Sequence, residues 1–167
     1  MLQLVEPSAQ LDQPRRILPD DPALPSVLLM LQGAFSYMDG RIDPPSSIKD
    51  VTTEAFARTA AEAELWAIGL PPKACVVLRP MRGRLYLGRL AVCHSARGRG
   101  LARRLVDLAV ERAQQMDLPC IELQSRVELV ENHATFSAMG FRMVAETTHP
   151  GFDRPTSLTF RRDVRPS

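Results

Sequence analysis

The chain has 167 residues, 45% of them hydrophobic and 24% charged, with a formal net charge of +2. That length supports one domain with a sizeable core and is too short for two comfortable ones. The small net charge gives no general case for a nucleic-acid coat protein, and no segment approaches the length of a membrane span.

Cys75, Cys93 and Cys120 each fall in or beside a predicted strand. An odd number without paired spacing argues against a disulfide framework and against zinc. They read as small buried hydrophobes in a reducing compartment. Gln3, Glu6 and Asp12 stand where a signal peptide would need a basic start and an apolar run. The expected location is the cytoplasm.

Residues 1–19 carry Pro7, Pro14 and Pro19 and no sustained period. They are expected as a loose arm or a short strand, at residues 2–5 or 16–18. Asp20-Asp21-Pro22 begins a helix, since Asp favours the cap and proline is tolerated in the first turn. Val27, Leu31, Ala34, Phe35 and Met38 keep helical spacing to about residue 38. The breaker cluster 39–47, rich in Pro, Gly and Asp, ends it. This loop reads equally as a plain linker or as a substrate-facing segment. A second helix follows over about residues 53–63, capped by Thr52 or Thr53, with Phe56 and Ala60 inward.

Residues 64–68, 74–79 and 85–92 read as three strands joined by tight turns, an antiparallel meander. A helix over about residues 100–116 buries Leu101, Leu105, Leu108, Ala109 and Met116. Residues 120–124 form a strand parallel to the preceding one by the crossover rule. After a loop, Asn132 caps a short helix that Gly140 ends at its C′ position. Strands at 141–145 and 157–163 close the fold around the loop 146–156. The order ααβββαβαββ describes a single α+β domain over residues 20–163, with a mostly antiparallel sheet interrupted by one parallel βαβ unit. Residues 164–167 are tail.

The stretch 85–116 carries the strongest functional signal. A strand leads through Cys93-His94-Ser95-Ala96 into Arg97-Gly98-Arg99-Gly100 and then a helix. A glycine-rich turn that opens a helix leaves backbone N–H groups unpaired at the positive end of the helix dipole. Such a site suits a phosphate or pyrophosphate. Alone, the turn reads as a solvated loop; the strand before and the helix after favour a phosphate-bearing ligand. Arg79, Arg82, Arg84, Arg89, Arg97, Arg99, Arg103 and Arg104 cluster around it, either as a solvated basic face or as a field for a polyanion. The cluster lacks interleaved aromatics, so nucleic acid is the weaker partner.

The element order and two motifs resemble the GNAT superfamily of acetyl-CoA-dependent N-acetyltransferases. The first motif is Arg97-Gly98-Arg99-Gly100-Leu101-Ala102, preceded by Leu90-Ala91-Val92. The second runs from Asn132 through Phe136 to Gly140-Phe141. The resemblance implies that the two central parallel strands splay apart to take the acyl thioester. It further implies that Arg97, Gly98 and the N–H groups of Arg99, Gly100, Leu101 and Ala102 hold the coenzyme A pyrophosphate. Leu90, Ala91 and Val92 would pair with the pantetheine through their main chain, and Asn132 and Phe136 would line the thiol end. For Asn132 and Phe136, a cap and a core residue are the plain alternatives.

Acyl transfer to an amine needs the amine deprotonated, a donor for the oxyanion, and an acceptable thiolate leaving group. The resemblance implies an oxyanion donor at the N–H of Leu90 or a neighbour. The carboxylate that many members carry on that strand falls at Gly88 and Arg89, and their usual tyrosine acid falls at Phe136. Glu122 on the neighbouring strand is the first replacement base, with a solvated strand residue as its alternative. Tyr86 is the replacement acid, because strict alternation faces it with Gly88 and Leu90. The acceptor is expected between the loops 39–47 and 146–156, against Arg41, Asp43, Ser46, His149 and Asp153. The implied activity is N-acetyl transfer from acetyl-CoA to a primary amine of a small molecule or peptide. It requires no metal, nucleic acid or membrane, and suits a monomer or homodimer. A non-catalytic acyl-CoA sensor is the alternative.

Overall fold

The computed structural model describes residues 13–164. Its elements run β1 (Arg15–Ile17), α1 (Leu24–Phe35), α2 (Thr53–Glu62), β2 (Glu64–Ile68), β3 (Ala74–Met81), β4 (Arg84–Val92), α3 (Leu101–Gln115), β5 (Cys120–Arg126), α4 (Val130–Ala138), β6 (Arg142–Thr147) and β7 (Ser157–Asp163). The seven strands form one sheet in the order β1-β2-β3-β4-β5-β7-β6. Only β4 and β5 pair in parallel, across the α3 crossover. This is the single α+β domain the sequence predicts.

The expected arm is partly strand: Arg15–Ile17 pairs antiparallel with β2, and Ile17 is fully buried. The other candidate, residues 2–5, lies outside the described residues. Two helix starts differ from expectation. In α1 the proline of the first turn is Pro25, not Pro22, and Asp21 Oδ1 instead accepts the N–H of Ala23 at 2.8 Å. In α4 the cap position is Leu129, so Asn132 lies inside the first turn and its side chain is free for other partners. Thr52 caps α2 through Ala55 N–H at 3.1 Å, as Thr does well. No helix among the described residues is long and apolar enough to cross a membrane.

The sheet separates two cores. On one side α3 and α4 pack Leu101, Leu105, Val106, Ala109 and Met139 against Val76, Leu78, Leu85, Leu87, Ile121, Leu123 and Phe160. On the other, Val27, Leu31, Phe56 and Ala60 of α1 and α2 cover Leu65, Ala67, Cys75, Val77 and Ala91. Each such fully buried aliphatic chain contributes about 1.5–3 kcal/mol. Val106 and Ala113 replace Leu108 and Met116 as the most buried residues of α3, a modest rotation of its inner stripe.

Glu64 is a buried acid clamped by Arg112, with Nε–Oε1 at 2.9 Å and Nη2–Oε2 at 2.7 Å, and by Trp66 Nε1 at 2.9 Å. Burial pushes its carboxyl up, but the hydrogen bonds from Arg112 and Trp66 outweigh this and hold it below the ordinary value. A depressed folded pKa gives stability that is present above the unfolded pKa and is lost as pH falls through the folded one. In urea titrations the stability gap between wild type and Glu64→Gln should therefore shrink from about pH 5 to about pH 3. A constant gap across that range would contradict it.

Candidate active site

The parallel pairing of β4 and β5 consists of Leu85 with Ile121 and Tyr86 with Glu122, and stops there. Beyond it the strands splay. β4 also leaves the register of β3: Gly88 opposes Val77 and Ala91 opposes Cys75, so Arg89 and Leu90 together stand against Val76. This two-against-one bulge bends the strand. Arg89 takes it up with φ of +52°, a left-handed conformation rare for a residue with a side chain. The bulge also resets alternation. Leu90 joins Leu85 and Leu87 on the α3 side, whereas Ala91 lies with Cys75 and Val77 on the other. The expectation that Tyr86 and Leu90 face alike is corrected by that extra residue.

A cleft of about 560 Å³ occupies the splay. Tyr86, Gly88, Arg89, Leu90, Ala91 and Val92 form one wall, and Leu123 to Arg126 the other. Tyr37, Arg41 and Ser46 from the chain after α1, Asn132 and Phe136 from α4, and His149 also line it.

At one end lies the glycine turn. Gly98 and Gly100 have φ of +81° and +76°, and a Cβ on either would meet no atom within 4 Å. Glycine is therefore required there for conformation rather than for room. Gly100 is the cap residue of α3 and offers no side-chain acceptor, and the first helical bond runs from Arg104 N–H to Gly100 O at 3.0 Å. The N–H groups of Leu101, Ala102 and Arg103 are left free for an anion. Arg97 and Ala102 line the cleft, whereas Gly98, Arg99, Gly100 and Leu101 lie outside its lining, Leu101 being buried in the core.

Tyr37, unassigned by the sequence, joins this end to α4. Arg97 lies over its ring at 5.1 Å, Arg41 at 5.7 Å, and Asn132 Nδ2 donates to its hydroxyl at 3.3 Å. Phe136 packs against Phe141 and Phe160 with ring centroids 6.0 and 5.9 Å apart. Ser125, read from sequence as loop, is the penultimate residue of β5, paired with Leu158. It lines the cleft, and its Oγ is buried without a hydrogen-bond partner among the described residues. Continuing the strand alternation from Ile121 and Leu123 by one step would have found it.

Glu122 lies outside the lining. It is buried, and both carboxylate oxygens are taken: Oε1 by Arg84 Nε at 3.0 Å, Oε2 by Arg161 Nη2 at 2.7 Å. With both oxygens ion-paired to guanidinium groups and the residue off the cleft, the geometry does not support its expected role as base. Tyr86 does line the cleft; burial, and secondly the charge of Glu122, push its hydroxyl pKa up, offset in part by Arg89.

Of the expected acceptor residues, Arg41, Ser46 and His149 line the cleft. Arg41 pairs with Glu131 at 2.8 Å, and His149 Nδ1 is hydrogen-bonded to Thr156 Oγ1. Asp43 and Asp153 are exposed and outside it. Asp43 instead accepts from Arg154 at 3.3 Å, which ties the two loops together. His133 of α4 is half-buried against Phe160, with Nε2 2.9 Å from the carbonyl of Arg126.

Residues 47–141 match the profile of the Acetyltransferase (GNAT) family. Among curated proteins, N-alpha-acetyltransferase 30 of Saccharomyces cerevisiae is 35% identical over 75 residues, which span 42% of this chain and 43% of that protein. The match thus covers less than half the length of that relative. Among solved structures, the PaiA N-acetyltransferase of Thermoplasma acidophilum in complex with coenzyme A superposes with a TM-score of 0.75 at 10% identity, over 90% of this chain and 98% of that one. Ard1 of Thermoplasma volcanium gives 0.72 at 16% identity, over 92% and 98%. The ribosomal-protein-S18-alanine N-acetyltransferase of Escherichia coli gives 0.69 at 16% identity, over 93% and 95%. At these identities the structural likeness concerns the fold.

Proposed function

Since this chain belongs to the acetyltransferase (GNAT) family and is thereby an acyltransferase, we propose that it moves an acetyl group from acetyl-CoA directly to a primary amine of a small molecule or peptide. The observation that carries this reading is the splay of β4 from β5 beyond Tyr86, which opens a cleft reaching the glycine turn of α3. The residues present fit the cosubstrate. The left-handed glycines expose a helix N-terminus suited to a pyrophosphate, Leu87 to Val92 have no β5 partner, and Ser125 Oγ awaits one.

Acetyl-CoA supplies the acyl group already activated as a thioester. In this reading the N–H groups of Arg99 to Ala102, with Arg97 and Gly98, hold its phosphates, and Leu90, Ala91 and Val92 pair with the pantetheine. Asn132 and Phe136 line the thiol end, with Tyr37 holding the Asn132 amide in place. The N–H of Leu90, at the bulge, donates to the oxygen that gains charge. Ser125 stands in for the hydroxyl that Phe136 lacks, donating a hydrogen bond to sulfur as the C–S bond breaks. That help is modest, because a thiol of pKa about 8.5 leaves readily.

Ser125→Ala should lower kcat about tenfold, the worth of one hydrogen bond to a developing charge. Stability should hold or rise, because a buried unsatisfied hydroxyl is removed. Steady-state kinetics beside a thermal melt separate the two effects; an unchanged kcat would remove Ser125 from the reaction.

The proposal as a whole is tested with acetyl-CoA and a diverse amine panel, reading thiol release and acetylated product. Coenzyme A at a hundredfold excess over its Kd should stabilise the protein by ~2.7 kcal/mol. Stabilisation without product from any amine would make the chain an acyl-CoA sensor, a reading favoured by Gly88, Arg89 and Phe136 standing where the family's base and acid are expected. Absence of both effects would overturn the proposal.

A further inference from the structure

We infer that Arg89 is the anchor for a carboxylate on the acceptor, so that the acceptors of this enzyme are amines carrying a carboxylate within a few bonds of the nitrogen. The inference rests on the proposed acetyl transfer and names its substrate class.

The cleft is lined by four arginines and one acid, Glu131. Three of the arginines are engaged. Arg41 pairs with Glu131 at 2.8 Å, Arg97 lies over the Tyr37 ring at 5.1 Å beside the phosphate turn, and Arg126 Nη1 donates to the Pro44 carbonyl at 2.6 Å. Arg89 is the exception. Among the described residues its guanidinium has no ion-pair or hydrogen-bond partner, although the side chain is half-buried in the cleft wall. Burial pushes its pKa down, with Tyr86 and Cys75 partly offsetting this, but an arginine stays charged at neutral pH.

An unpaired, partly desolvated charge destabilises a fold, and so does left-handed backbone at a residue with a side chain. Arg89 carries both, at the bulge beside Leu90 where the acyl carbon would lie. A guanidinium presented this way matches a carboxylate through two parallel N–H···O bonds.

Its charge also bears on the missing base. A cation near an ammonium favours loss of the ammonium proton, so the bound acceptor reaches its neutral, nucleophilic form more readily and releases that proton to water. The transfer then balances: the N–C bond forms, the C–S bond breaks with its electron pair going to sulfur, and the second nitrogen proton is lost to solvent.

Three matched pairs test this: glycine against glycinamide, β-alanine against its amide, and 4-aminobutyrate against its amide. Tetrapeptides beginning with Asp or Asn, and with Glu or Gln, distinguish a free amino acid from an acidic peptide N-terminus. In at least one pair kcat/KM should favour the carboxylate about 10- to 100-fold. Arg89→Gln should reduce that ratio to about one by raising KM for the carboxylate, while the loss of its charge lowers kcat for both members of a pair alike, and Arg89→Lys should restore part of both. Calorimetric titration of the preferred carboxylate into protein saturated with coenzyme A gives a readout without turnover, and Arg89→Gln should abolish the heat. Equal use of both members of every pair, or a preference that survives Arg89→Gln, overturns the inference while acetyl transfer stands. Coenzyme A binding with transfer to no carboxylate of the panel also overturns it. Absence of coenzyme A binding removes the reading on which it rests.

Discussion

Gly100→Val is expected to weaken acetyl-CoA binding about 30-fold while leaving the fold intact. The valine must either adopt a left-handed conformation at +76° or swing the turn away from it. The first alternative costs about 2 kcal/mol for a β-branched residue. The second removes the alignment that leaves the N–H groups of Leu101, Ala102 and Arg103 free for an anion. A free protein that takes the second route must restore the left-handed turn around bound acetyl-CoA, and that ~2 kcal/mol converts to about 30-fold in Kd at roughly 1.4 kcal/mol per factor of ten. Gly100→Asn should lose much less, because Asn tolerates that region. Calorimetric titration with acetyl-CoA, beside a circular dichroism melt, checks both variants. Wild-type affinity in Gly100→Val would detach the turn from the cosubstrate.

Glu122→Gln is expected to act on stability. The buried carboxylate neutralises Arg84 and Arg161, and its loss leaves two guanidinium groups facing each other around an amide. Breaking a buried pair costs about 3–5 kcal/mol. The arginine side chains here are 30% and 38% exposed, which allows water to offset part of that. A loss of about 2–4 kcal/mol and a melting temperature lower by about 5–10 °C are expected. Activity of the folded fraction, measured well below the melting point, should remain. Loss of turnover by orders of magnitude at unchanged stability would return Glu122 to the role of base.

These two positions mark the limit of what the linear chain carries. The glycine turn was legible because its conformation lies in local backbone: two residues without Cβ, a strand before and a helix after. The boundaries of β2 and β7 were legible for the same reason, since alternation and turn residues are local. Glu122 was misplaced because a strand pattern shows which residues can face inward and not which partners come to meet them. Arg84 and Arg161 are 38 and 39 residues away in sequence and close the triad only once β5 lies between β4 and β7. Tyr86 and Leu90 were put on one face because strict alternation does not count an inserted residue. The bulge that breaks it depends on the register with β3. Asn132 was read as a cap on local propensity, but the helix begins two residues earlier and its amide finds Tyr37 from 95 residues away.

By itself, then, the sequence determined the order of elements, the one parallel crossover and the glycine turn that opens α3. All three follow from periodicity and backbone freedom over a few neighbouring residues. Tertiary structure alone decided which side chains share the cleft and which charges are neutralised. It consumed Glu122 in an ion-pair triad, brought Ser125 and Tyr37 to the splay, and left Arg89 without a counter-ion among the described residues, because those outcomes depend on strand register and on contacts between distant segments.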